Sequence, residues 1–158
     1  DSRTRLYDLA GNEIAAFDGY FSSFSADGQR FVIYAPKDKR SYFYNFAGQP
    51  VGPDSVKGAF SEFSPNQQYF VTTALSEDIS RVYDADGKLL AEYPGSVFEL
   101  GDLGFTPDGT RLATKTNDGL YHIWQLDNGL DNLLASGCDW VRPYLQANDE
   151  ETRAAFCR

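Results

Sequence analysis

The chain has 158 residues, enough for one domain, and its 42% hydrophobic and 15% aromatic content can build a core, which excludes wholesale disorder. Twenty-three acidic against fourteen basic side chains give a formal charge of −9, which excludes a phosphate-neutralising nucleic-acid surface and disfavours docking on acidic membranes. No apolar run is long enough to span a bilayer, no signal-peptide pattern opens the chain, and two cysteines do not make a disulfide scaffold, so a cytoplasmic location is expected.

Twelve Phe and ten Tyr against two Trp, with fourteen Gly, favour strands and tight turns over helical bundles. An all-β body is expected. The chain contains no methionine and opens at Asp1 within a strand-like segment, so it reads as a piece of something longer.

In chain order, the first strand closes on Tyr7-Asp8 and is followed by the Ala10-Gly11 turn. An apolar run then ends in the turn Phe24-Ser25-Ala26-Asp27-Gly28. This turn is rewritten as Phe63-Ser64-Pro65-Asn66 and as Phe105-Thr106-Pro107-Asp108-Gly109, at spacings of 39 and 42 residues. The aromatic pair recurs as Tyr44-Asn45, Tyr83-Asp84 and Trp124-Gln125, at spacings of 37, 39 and 41, and the Gly turn as Ala47-Gly48 and Asp86-Gly87. Three ladders with one period of about forty define a repeat. Each period reads as four short strands, as in Tyr69 to Thr72, Ser80 to Asp84 and Lys88 to Tyr93. Gly supplies the positive φ of the hairpins, while Pro65 and Pro107 pre-set φ in their turns.

These turns, the strand ending in an aromatic-acid pair and the period together resemble WD-repeat (WD40) β-propeller blades. The resemblance covers roughly residues 3–126 and implies a partial β-propeller of about 3.5 four-stranded antiparallel blades. The expected division is a leading half blade at 3–17 and blades at 18–53, 54–93 and 94–126. Tyr7, Tyr44, Tyr83 and Trp124 are the blade aromatics, and Tyr44, Tyr83 and Trp124 are expected to be buried between sheets. The acid that precedes the aromatic in such blades stands at Asp38, Glu77 and Asp118. The Gly-His pair that opens a blade is missing, with Gly19, Gly58 and Gly95 in its place, so the usual Asp-His hydrogen-bond network cannot form.

After Trp124 the apolar spacing turns helical. Short helices are expected over 130–135, 139–147 and 149–156, forming a cap at 127–158 with Leu134, Trp140 and Leu145 on the last blade. The run from Leu130 through Gly137-Cys138-Asp139-Trp140 to Leu145, with Cys157, resembles the terminal segment of cyanobacterial multidomain WD-repeat proteins. Cys138 and Cys157 are read as small buried side chains, with a disulfide as the alternative.

His122, the sole histidine, is read as a solvated blade residue, and no metal or cofactor is expected. Asp84-Ala85-Asp86-Gly87 imitates the opening of a calcium loop, but Gly95 stands at the twelfth position where a Glu is required. Asp27, Asp86 and Asp108 belong to turns. The functional expectation is a non-catalytic interaction or sensor module whose partner is a protein. The open array would be closed either by a second copy or by preceding blades. The alternative is a glycosidase-type hydrolase that gathers Asp38, Glu77 and Asp118 at one mouth.

Overall fold

The computed structural model describes residues 2–25, 27–74, 76–97 and 104–126. Residues 1–124 form one compact unit and residues 125–158 a second. The expected helical cap, with Leu134, Cys138, Trp140, Leu145 and Cys157, lies outside the described residues.

The fold is all-β and propeller-like. Strands β1 (Arg3–Tyr7) and β2 (Glu13–Asp18) make a two-stranded sheet. Strands β3 (Tyr20–Phe24), β4 (Arg30–Ala35), β5 (Arg40–Asn45) and β6 (Val56–Lys57) make the second sheet. Strands β7 (Ala59–Phe63), β8 (Tyr69–Ala74), β9 (Ile79–Asp84) and β10 (Leu89–Pro94) make the third. Strands β11 (Gly104–Phe105), β12 (Arg111–Lys115) and β13 (Tyr121–Gln125) make the fourth. Every pairing is antiparallel between neighbours in sequence, so each sheet is a meander. One boundary moves from its expected place. β6 pairs with Arg40 and Ser41 of β5, so the second sheet runs to Lys57 rather than ending at 53. The long connection from Pro50 to Ser55 hides this short strand from any pattern of alternation.

The sheets bury their faces against one another. Val32, Phe43 and Val56 of the second sheet meet Phe60, Phe70 and Tyr83 of the third, with Phe63 packed on the cluster. Phe70 and Tyr83 stack at 5.2 Å with ring planes 13° apart. Between the first and second sheets, Phe17, Phe31 and Ile33 pack with Leu6, Ala15 and Tyr44. Apolar burial of this kind is the main stabilising term, and each junction supplies its own share. Among the described residues, no helix is long and apolar enough to cross a membrane.

The turns explain why this sequence makes these hairpins. Ser25, Ser64 and Thr106 each accept, on the hydroxyl, the amide of the residue five positions on (Arg30, Tyr69, Arg111) at 2.9–3.0 Å. Each also donates to the side chain two positions on, Asp27, Asn66 or Asp108. The next residue is left-handed, with φ of 66° at Gly28, 58° at Gln67 and 70° at Gly109. Asp8, Asn45 and Asp84 close the other turn ladder, each accepting the amides two and four residues ahead at 2.8–3.1 Å. Asp84 and Asp86 are therefore hairpin residues and not the start of a cation loop.

Candidate interaction cleft

Gly19, Gly58 and Gly95 sit where one sheet hands over to the next. Their N–H groups donate to the carbonyls of Ser2, Lys39 and Asp78 at 2.7–2.9 Å. Their carbonyls accept the hydroxyls of Thr4, Ser41 and Ser80 at 2.7–3.0 Å. Each glycine has positive φ, and a Cβ would strike the neighbouring strand, for example the Tyr34 carbonyl from Gly19 and Thr72 Oγ1 at 2.8 Å from Gly58. This latch ties each of these junctions on both sides of the glycine. Its hydroxyl ladder, Thr4, Ser41 and Ser80, stands in the sequence three residues before Tyr7, Tyr44 and Tyr83, a signal that the turn and aromatic ladders overshadow.

The blade aromatics divide. Tyr83 is buried, at 5% exposure, and its hydroxyl donates to the Lys57 carbonyl at 3.2 Å. Tyr44 and Trp124 are half-buried, short of the burial expected of them, and Tyr7, of which none was expected, is half exposed. The reason is position. Tyr83 lies under the third sheet's full set of neighbours, Tyr44 leans on Phe17 at 4.4 Å at the edge of a two-stranded sheet, and Trp124 stacks on Tyr93 at 4.8 Å with His122 at 5.5 Å on it. Trp124 Nε1 also donates to Thr114 Oγ1 at 2.9 Å.

The three acids lie in exposed hairpins, each with a local partner. Asp38 accepts the Tyr42 hydroxyl at 3.2 Å, and Asp118 accepts the Thr116 hydroxyl and the Leu120 amide. Glu77 pairs with the buried Arg81, whose Nε is held by Glu92 at 2.6 Å. The hydrogen bond from Arg81 and its charge hold the Glu77 carboxyl below the usual range, with Lys39 and Lys57 adding to the effect. Asp38 and Glu77 line one cleft of about 550 Å³ between the second and third sheets, together with Lys39, Arg40, Lys57 and Arg81. Asp118 is not part of it.

A companion cleft of about 540 Å³ occupies the preceding junction, lined by Arg3, Lys37, Asp18 and Asp38, two cations against two acids, with Gly19 among others. The two are register equivalents: Arg3 faces Asp18 across β1–β2, and Arg40 faces Lys57 across β5–β6. In the first cleft the facing pair closes as an ion pair at 3.4 Å. In the second, two cations face each other.

Away from the clefts, Glu62 is the one carboxyl whose burial raises it above the usual range among the described residues, and it accepts the Phe105 amide at 2.6 Å. No group of three His, Cys, Asp or Glu side chains able to hold a metal occurs among the described residues. No protein-family model matches the chain, and no curated protein sequence matches it significantly.

Proposed function

We propose that the chain is a non-catalytic protein-interaction or sensor module, built of WD-repeat-like blades and working in the cytoplasm as the C-terminal part of a larger signalling protein of the cyanobacterial multidomain kind. The observation that carries the reading is a shallow apolar basin at the first sheet. Tyr7, Leu9 and Ile14 stand exposed there, and together with Leu6 and with Phe46, which follows β5 of the second sheet, they line it. Contiguous apolar surface of this kind supports a protein contact. A second copy of the chain, or blades preceding it, would supply the covering strands.

Light scattering on the isolated chain tests this. Self-association that Ile14→Glu disperses is the expected result, and a monodisperse monomer that Ile14→Glu leaves unchanged would overturn the reading. The hydrolase alternative needs one carboxyl kept protonated near another. Glu77 is drawn the opposite way by Arg81, and Glu62 is committed to Phe105. Turnover of chromogenic glycosides that disappears in Glu77→Gln would restore that alternative.

A further inference from the structure

We propose that the cleft between the sheets β3–β6 and β7–β10 binds an acidic peptide segment of a protein partner through Lys39, Arg40 and Lys57. The inference deepens the interaction-module reading and rests on it. Its main support is the internal comparison between the two clefts. At the first junction Asp18 neutralises Arg3. At the second, the register places Lys57 opposite Arg40, and like charges directly opposed weaken a sheet. The fold gains nothing from that pair, whereas an anionic ligand would.

The three cations are also positioned. Arg40 is held by Ser55, with Nε to the hydroxyl at 2.6 Å and Nη2 to the carbonyl at 3.1 Å. Lys39 has the left-handed φ of 53°, and its carbonyl takes the Gly58 amide, so the latch fixes where its side chain begins. Among the described residues no carboxylate lies within ion-pair distance of Lys39 or Lys57. The acid that both influence, Glu77, is already bonded by Arg81. A cleft of about 550 Å³ is sized for several side chains rather than for one small ion. On a chain of formal charge −9, a cationic cleft also stands out to an approaching acidic segment.

Fluorescence anisotropy with a fluorescein-labelled oligoglutamate peptide at low ionic strength tests the proposal, with oligolysine and single-stranded RNA as comparison probes. The wild-type chain is expected to bind oligoglutamate, and Lys57→Asp, which copies the closed pair of the first junction, to weaken it by about tenfold or more. Asp18→Lys should open the first cleft and raise the number of peptides bound. Should Lys57→Asp fail to fold by thermal melting, Lys39→Gly removes one ammonium while easing a left-handed backbone, and must weaken binding too. Absence of binding by wild type, unchanged binding by the folded variants, or preference for RNA would each overturn the assignment. Loss of peptide binding with unchanged self-association removes this site alone, whereas a monodisperse monomer removes the module reading and leaves the binding titration readable.

Discussion

Gln67 occupies the position that Gly28 and Gly109 hold in the sister turns, with φ of 58°. A side chain in the left-handed region costs roughly 1–2 kcal/mol, partly offset by the greater chain entropy that Gly loses. Gln67→Gly is therefore expected to stabilise the chain by about 0.5–1 kcal/mol, read as a rise in the denaturation midpoint. The same turn family sets a pH dependence. The Thr106 hydroxyl, the Thr110 amide and the Thr110 hydroxyl hold the Asp108 carboxyl down to about 2, and the Ser25 hydroxyl and Gln29 amide lower Asp27 in the same way. A carboxyl depressed in the folded state contributes stability that is complete above its unfolded pKa and disappears as pH falls through the folded one. Stability should thus decline from about pH 4 to about pH 2. In Asp108→Asn, which copies Asn66 of the sister turn, the decline should be shallower over that window. An equally steep acid limb in the variant would show that Asp108 is not among the groups responsible.

At the scale of the element, the junction glycines matter more than the aromatics that first betray the repeat. A Cβ on Gly58 would lie 2.8 Å from Thr72 Oγ1 and 3.1 Å from both Thr72 Cβ and the Thr73 carbonyl, with φ at 94°. Gly58→Ala should cost about 1–3 kcal/mol by forcing strain on the latch, measured by urea denaturation. Gly11→Ala is the control, because its Cβ would meet nothing within 4 Å and only the backbone term remains. These contrasts also mark what the sequence could reveal. The strands, their order and the two turn ladders were legible because turn chemistry is local: a hydroxyl, an acid two residues on and a glycine specify a hairpin wherever they stand. The latch needs two segments 15–17 residues apart, Thr4 with Gly19 and Ser41 with Gly58, and only the repeat could have paired them. Burial of Tyr44 and Trp124 failed as an expectation because it depends on how complete each neighbouring sheet is. The cationic cleft was partly visible as the adjacent Lys39 and Arg40. Lys57 joins it only through β6, a strand of two residues with no alternation to betray it.

For residues 1–124 as a whole, stability should be graded along the array rather than uniform. In stacked repeats each unit draws its stability from itself and its immediate neighbours. The second and third sheets share the cluster of Val32, Phe43, Phe60, Phe70 and Tyr83, and the valines Val32, Val71 and Val82 are 0–2% exposed. The first sheet has only two strands, contributes Leu6, Ala15 and Phe17 to its junction, and leaves Tyr7, Leu9 and Ile14 to solvent. Local opening there releases far less buried surface than opening the middle sheets. Native-state hydrogen exchange is therefore expected to be slowest at the amides of β4, β8 and β9. It should be faster by about one to three orders of magnitude in β1 and β2, in line with a difference of about 1.4 kcal/mol per decade. The comparison is sharpest at low protein concentration, where self-association is weak. If partner strands complete the first sheet, raising the concentration should slow exchange in β1 selectively and leave β8 unchanged, since mass action stabilises only the segment that is covered. Uniform protection across all four sheets at every concentration would contradict the graded picture and show that residues 1–124 open as one cooperative unit.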